Sequence, residues 1–196
     1  MKHFASLVTA VLFSVTVFAQ SSGYQLGDKV SDFTLKGSNN QTVSLSDFAD
    51  SKTVVLVFTN TTCPYAKLYE NRLVTLASTY NSRGAQFIFI NPGVSSGDGS
   101  ETLAEMAAKN YSFPYLADEG QKISAQFGAT KTPEVFVLHN INGNFVLKYK
   151  GAIDDNPQVE SGVKDNYLKK VLDDVLANKT VTTLDRRATG CLIKRY

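Results

Sequence analysis

Three features of this 196-residue chain predict an α/β sandwich built on a mixed central β-sheet flanked by helices. Apolar β-branched runs such as Thr53–Thr59, TVVLVFT, have the composition of strands buried on both faces. Between such runs lie segments with apolar residues at steps of three and four, as in Tyr65, Tyr69, Leu73, Leu76 and Tyr80. Towards the end, two strand-like runs joined by an Asn-Gly turn precede a last helix-patterned segment. The length suits one domain with a real core, so no disulfide is needed merely to compensate for a small one.

The elements follow in order. Residues 1–19 read as a secretory signal, with Lys2 as the charged start, Phe4–Phe18 as the apolar stretch and Val17-Phe18-Ala19 as a small-residue cleavage site. The stretch contains several Ser and Thr and is shorter than the roughly 20 residues a spanning helix prefers, which disfavours a membrane anchor. The expected mature domain is therefore 20–196, periplasmic or secreted, with a C-terminal tail at 178–196. DFTL and TVSL, separated by Gly-Ser-Asn-Asn, predict an N-terminal β-hairpin. TVVLVFT is the first buried strand, a helix runs from Pro64 to near Gly84, and QFIFI is a second buried strand. NPGVSSGDGS is a loop whose Ser100 is placed to cap a helix starting at Glu101. DEGQKISAQFG then predicts a short helix, PEVFVL and FVLKYKG a closing hairpin, and Tyr167, Leu168, Val171, Leu172, Val175 and Leu176 the last helix.

Charge narrows the partners. The formal net charge is +2, and removing Lys2 with the signal leaves +1, too little to suggest nucleic acid. Arg186, Arg187, Lys194 and Arg195 gather at the end and read as a solvated tail. The two cysteines, Cys63 and Cys191, both survive cleavage, and in an oxidising compartment an even count makes one bridge the default. Zinc is disfavoured because no paired CxxC is present and His139 is the mature chain's one histidine. His139 reads as a strand-end residue, with a cysteine–histidine dyad as the weaker alternative.

Cys63 sits where a buried strand ends and a helix begins, and there unpaired N–H groups and the helix dipole favour a thiolate. Pro64 suits the first helical position because it has no N–H to leave unsatisfied. A cysteine so placed is expected to have a lowered pKa and to attack disulfides. An inert buried cysteine, or a structural half-cystine, is the competing reading.

The order strand, Thr-Cys-Pro-Tyr-Ala, helix, strand, helix and KTPEVFVL resembles a thioredoxin-like three-layer sandwich. In that resemblance Cys63 matches the first cysteine of the family's CxxC, and Ala66 stands where the second would be. Thr132-Pro133 matches the cis-proline that faces the redox cysteine and helps position a substrate backbone. A narrower resemblance rests on GDKVSDFTL, NTTCPYAKLYENRL, FPYLADEGQKISAQFGATKTPEVFVL, YKGAIDDNP and ATGCLIKRY. Together these are similar to the peroxiredoxin-like branch of the alkyl hydroperoxide reductase/thiol-specific antioxidant (redoxin) superfamily.

Two departures bear on chemistry. Peroxiredoxins carry Pro seven residues and Thr or Ser three residues before the peroxidatic cysteine, whereas Leu56 and Asn60 stand at those distances from Cys63, and the peroxidatic position itself falls on Ala66. Thioredoxins carry a buried acid six residues before the first cysteine, and Val57 stands there instead. The resemblance implies that Cys191, in the recurrent C-terminal GCLIK motif, supplies the second sulfur. The 14 residues from Ala177 to Cys191 extend to about 45–50 Å, against a radius of gyration of ~16 Å for the mature domain, so reach is no obstacle. Gly190 adds backbone freedom beside the cysteine.

The expected function is thus an exported thiol-disulfide oxidoreductase in which Cys63 is the nucleophile and Cys191 resolves the mixed disulfide. Thr132, Pro133 and Pro64 position the substrate, and no metal or cofactor is required. The expected partner is a protein thiol or disulfide, or a small thiol. Two alternatives stand: a thiol peroxidase, and a non-catalytic module held by a structural Cys63–Cys191 bridge. Smaller expectations concern Asp154-Asp155, read as loop carboxylates with weak metal potential, and the sequons at Asn40, Asn60, Asn110 and Asn178. Tyr65 and Tyr69 read as helix packing residues before groove residues.

Overall fold

The computed structural model describes residues 23–94, 100–183 and 185–195, so the expected signal segment at 1–19 lies outside the described residues. Strands β1 (Thr34–Gly37) and β2 (Thr42–Ser44) form the expected hairpin. β3 (Thr53–Phe58), α1 (Pro64–Asn81), β4 (Ala85–Asn91), α2 (Leu103–Ala108) and β5 (Tyr115–Ala117) follow. Then come α3 (Lys122–Phe127), β6 (Lys131–Thr132), β7 (Glu134–Ile141), β8 (Asn144–Gly151), α4 (Tyr167–Leu176) and β9 (Cys191–Leu192). Seven strands form one sheet in the order β2-β1-β5-β4-β3-β7-β8, and β6 and β9 form a separate pair. β3, β4 and β5 run parallel, with helical crossovers between them, while the remaining pairs are antiparallel.

β3 has a neighbour on each side and every one of its residues is buried, which is why its sequence is continuously apolar rather than alternating. Its side chains still alternate in direction. Val55 and Val57 pack with Phe87, Phe89, α1 and α4 on one face, and Val54, Leu56 and Phe58 pack with Ile88, Phe127 and the N-terminal Val30, Phe33 and Leu45 on the other. The result is three layers with β3 at the centre, its carboxyl end delivering Cys63.

Three local readings are corrected. The helix after the 91–100 loop begins at Leu103, because Thr102 wins the cap: its Oγ1 accepts from Glu105 N at 3.2 Å, and the Glu105 carboxylate accepts from Thr102 N at 2.8 Å. Glu101 is left in an isolated bridge with Val94 and is buried. β5 has no counterpart in the sequence reading, since three residues are too few to show a period. His139 lies inside β7 opposite Thr53, the residue of β3 farthest from Cys63. Five residues of strand, roughly 17 Å, separate it from the cysteine end, which removes the dyad reading.

The tail is docked by its backbone and a few contacts, while the basic residues Arg186, Arg187, Lys194 and Arg195 that suggested a solvated segment are exposed. Ala152 N donates to Arg186 O at 2.8 Å, and the Arg186 guanidinium lies over the Tyr167 ring at 5.5 Å. Ala188 is buried, β9 pairs antiparallel with β6, and Ile193 N donates to Thr130 O at 2.9 Å. The Arg195 guanidinium donates to Ser124 Oγ at 2.8 Å and to Ala129 O at 2.6 Å.

Candidate active site

Cys63 is the N-cap residue of α1, with extended backbone angles, and Pro64 occupies the first turn. Asn60 shapes the approach: its Oδ1 accepts from Cys63 N at 2.8 Å and from Thr62 Oγ1 at 3.2 Å, closing a side-chain turn just before the helix. Cys63 O accepts from Lys67 N at 3.1 Å, the first bond of the helix ladder. Pro64 has no N–H, so the unpaired donors of the first turn come from residues after it. They and the helix dipole favour negative charge on the sulfur.

The Cys63 sulfur is bonded to Cys191, with the two α-carbons 5.9 Å apart. Both described cysteines are thereby paired. Cys191 arrives on β9, opposite Thr132 of β6. The peptide bond between Thr132 and Pro133 is cis, and Thr132 O lies 3.0 Å from Cys63 Sγ. With the sulfur in a disulfide this is a close sulfur–oxygen contact; in the dithiol the same oxygen can accept from the Cys63 S–H. Thr132 and Pro133 are buried, and Glu134 braces their loop by accepting from Thr130 N at 2.7 Å and Lys131 N at 3.0 Å. Burial raises the Glu134 pKa despite these donors.

Gly190 shows why the tail fits. A Cβ there would meet the Thr132 carbonyl oxygen, with the Thr132 carbonyl carbon at 2.7 Å and Pro133 N at 3.1 Å. What matters is therefore the missing side chain, not the torsional freedom the sequence suggested. Backbone lies against backbone beside the bridge.

Cys63 is 3% exposed, whereas Cys191 is half-buried. Both line a cavity of about 280 Å³ whose other walls include Asn60, Glu101, Gln121 and Lys194. Cys63 is thus covered on one side by polar groups rather than sealed in hydrocarbon. Glu101 is 1% exposed, and its Oε2 accepts from Thr61 N, Asn91 Nδ2 and the Tyr115 hydroxyl, each at 2.8 Å. The tyrosine pays for that neighbourhood with a phenol pKa pushed far up, first by burial and then by the carboxylate. Sequence reasoning missed Glu101 and Gln121. Glu101 lies in none of the quoted segments, and Gln121 lies in FPYLADEGQKISAQFGATKTPEVFVL with nothing there to single it out, so only their tertiary burial beside the bridge marks them.

Residues 26–156 match the AhpC/TSA family, well over half of the chain. The chain belongs to the AhpC/TSA family. A hypothetical protein from Sinorhizobium meliloti is similar in structure with a TM-score of 0.80 and 30% identity, covering 89% of this chain and 96% of its own. Peroxiredoxin Q of Gentiana triflora is 28% identical over 167 residues, 76% of this chain and 69% of that one. A chain described as a thiol:disulfide interchange protein DsbE, from Chlorobium tepidum, shares the thioredoxin-like fold with a TM-score of 0.58 at 21% identity, covering 78% of this chain and 98% of its own.

Within this family, the departures noted in the sequence acquire positions. Ala66 is 4% exposed on the buried side of α1, and Leu56 and Val57 are wholly buried in β3. Asp154 is no metal ligand or solvated loop residue. It is buried, accepting from the Tyr69 hydroxyl at 2.7 Å and from Arg72 Nη1 at 2.8 Å. Asp155 is exposed and accepts from Lys164 N and Asp165 N at 3.0 and 3.1 Å. Among the described residues, no group of three or more His, Cys, Asp or Glu is arranged to hold a metal, and no helix is long and apolar enough to cross a membrane. Tyr69 is a core residue and Tyr65 is half-buried. Asn40, Asn110 and Asn178 have positive φ of 64°, 48° and 54°, turn conformations that asparagine tolerates, which gives these sequon residues a structural role.

Proposed function

We propose that the protein is an exported thiol-disulfide oxidoreductase whose working couple is Cys63–Cys191. One observation carries the reading: the bridge joins the N-cap residue of a helix to a two-residue strand docked on a cis-proline loop, at the wall of a cavity with polar lining. A bridge serving stability alone has no need of such a seat. In the dithiol form, the Cys63 thiolate attacks one sulfur of a substrate disulfide, forming a mixed disulfide and releasing the first substrate thiolate. The Cys191 thiolate then attacks Cys63 Sγ, releasing the second substrate thiolate and closing the bridge. Two electrons pass from the protein dithiol to the substrate, whose thiolates take up the two protons.

Thr132 and Pro133 position the substrate backbone, and Pro64 holds the start of the helix. The fold and family membership support thiol chemistry; the signal-like residues 1–19 support export to a periplasmic or extracellular space where a disulfide persists. Peroxide reduction is the second reading, favoured by the similarity to peroxiredoxin Q. It is weakened by the burial of Ala66 at the position a peroxidatic cysteine would take.

The test is a redox titration of the mature protein with alkylation of free thiols, alongside insulin-reduction and peroxide-consumption assays of Cys63→Ser and Cys191→Ser. The expected bridge equilibrates with glutathione-range buffers, both variants lose turnover, and Cys191→Ser accumulates a mixed disulfide on Cys63. A bridge that stays closed below about −300 mV is structural and overturns the proposal.

A further inference from the structure

The closed bridge covers the edge that the redox reading assigns to the substrate. Thr132 pairs with Cys191 and Lys131 with Leu192, so β9 occupies the side of β6 that leads into the cis-proline for as long as the disulfide is intact. A polypeptide that reduces the bridge has to approach the oxidised protein elsewhere, and the ladder shows where. Ile193 N donates to Thr130 O at 2.9 Å, so residues 191 and 193 turn their N–H and C=O groups towards β6 and residue 192 turns its own outwards. Leu192 N and O have no partner among the described residues, and Leu192 is 73% exposed. Two residues further on, Lys194 O accepts from Gln121 Nε2 at 2.6 Å. The outer edge of β9 is thus capped at Lys194 and open at Leu192, beside the more exposed sulfur of the bridge.

We propose that this open edge docks the protein's reductant, a polypeptide dithiol that adds an extended, acid-flanked segment to β9 as an antiparallel strand and presents a cysteine opposite Cys191. This rests on the redox reading above and names the partner class for the same site. In such a pair Leu192 exchanges both backbone bonds with the residue before the partner cysteine. Cys191 and that cysteine then form a non-hydrogen-bonded pair on one face, with α-carbons about 4.5 Å apart, inside the roughly 4.4–6.8 Å that a disulfide spans. The cavity of about 280 Å³ lined by Cys191, Leu192 and Lys194 leaves space beside the edge. Lys131, across the ladder from Leu192, and the exposed Lys194 have no ion-pair partner among the described residues, which favours acidic flanks on the incoming strand. A second copy of this chain fits less well, because both of its cysteines are already paired and it has no thiol to offer.

The exchange balances without another reagent. The partner's first thiolate attacks Cys191 Sγ, and the bridge breaks with Cys63 leaving as the thiolate that the helix terminus favours. The partner's second thiolate attacks the partner sulfur of the mixed disulfide and releases Cys191. The partner dithiol becomes a disulfide, two electrons pass to the bridge, and the partner's two protons end on Cys63 and Cys191.

The experiment measures opening of the oxidised bridge by two probes, with rates expressed per thiolate. One is a capped pentapeptide with a central cysteine, threonine and valine beside it and glutamate at both ends; the other is 2-mercaptoethanol, which has no backbone to pair. Two backbone bonds predict a peptide advantage of at least about fivefold. N-methylation of the residue before the peptide's cysteine removes one donor and is expected to slow the peptide by about 2- to 13-fold. Leu192→Pro removes the outward N–H while every β6–β9 bond is kept, so it should slow the peptide by a similar factor, leaving the mercaptoethanol rate and the bridge potential unchanged; Leu192→Val, which keeps the N–H, should behave as wild type. The methylated peptide tests the same bond on the wild-type protein, so the result does not depend on how Leu192→Pro folds. A peptide no faster than mercaptoethanol, or one indifferent to methylation, overturns the docking edge while leaving the redox couple intact. A concentration-dependent dimer of the oxidised protein that Leu192→Pro abolishes would give the edge to a second copy and overturn the proposal as well. A bridge that neither thiol opens overturns both readings.

Discussion

Gly190→Ala tests whether tail docking and the redox couple are one device. The new methyl group would collide with the Thr132 carbonyl oxygen and stand 2.7 Å from its carbon and 3.1 Å from Pro133 N. All three atoms are backbone of a buried loop, so no flexible side chain can move aside. Overpacking of this kind costs about 1–3 kcal/mol. In the oxidised protein Cys191 is tethered to Cys63, so β9 must bear the strain; in the dithiol β9 is free to lift from β6 and shed it. At 30 mV per 1.4 kcal/mol for a two-electron couple, the reduction potential of the bridge should rise by about 20–65 mV. Equilibration in thiol/disulfide buffers followed by alkylation measures the shift, and urea unfolding of the reduced forms should show wild-type and variant alike. An unchanged potential with equal loss of stability in both redox states would refute the reasoning, because it would mean that the tail stays docked after reduction.

Cys191→Ser opens a loop spanning a sequence separation of 128 residues, which the chain-entropy account values at up to about 5 kcal/mol; a fall in urea-unfolding free energy of under about 1 kcal/mol would count against any stabilising share for the bridge. Asp154→Asn leaves Arg72, whose side chain is 7% exposed, without its anion, and should cost about 3–5 kcal/mol in the same assay while leaving the bridge potential unchanged. Loss of under 1 kcal/mol would show that Asn156 O and Glu160 compensate. Alkali should act through the buried phenols. Burial raises Tyr69, Tyr80, Tyr111, Tyr115 and Tyr149, with Tyr80 pushed up to about 12 by burial and its bond to Asp173. A raised folded-state pKa contributes stability that is complete below the ordinary value of 10.0 and is lost as pH climbs towards the folded value. Absorbance at 295 nm should therefore show these five of the nine tyrosines still neutral near pH 11 in the folded protein, with unfolding above it; full phenol titration by pH 11 without unfolding would contradict their burial.

Much of the scaffold is written locally. TVVLVFT and QFIFI can satisfy their composition only as strands buried on both faces, and the spacing of Leu168, Val171, Leu172 and Val175 buries one stripe of α4. The change of pattern at Thr-Cys-Pro puts Cys63 at the helix start before any contact is known, because Pro64 suits the first turn. Other features depend on partners distant in the chain. β5 is a strand because β4 and β1 flank it, and β9 because β6 offers an edge some 60 residues away. Glu101 looks like the first residue of an exposed helix; the cap at Thr102 and three converging donors turn it into a buried acid beside the bridge. Local pattern thus determined the long strands and helices and where the first cysteine sits, since backbone period and side-chain polarity act over a few residues. The approach of the tail, the space Gly190 leaves against Thr132 and the burial of Glu101 were decided only when packing brought remote groups together.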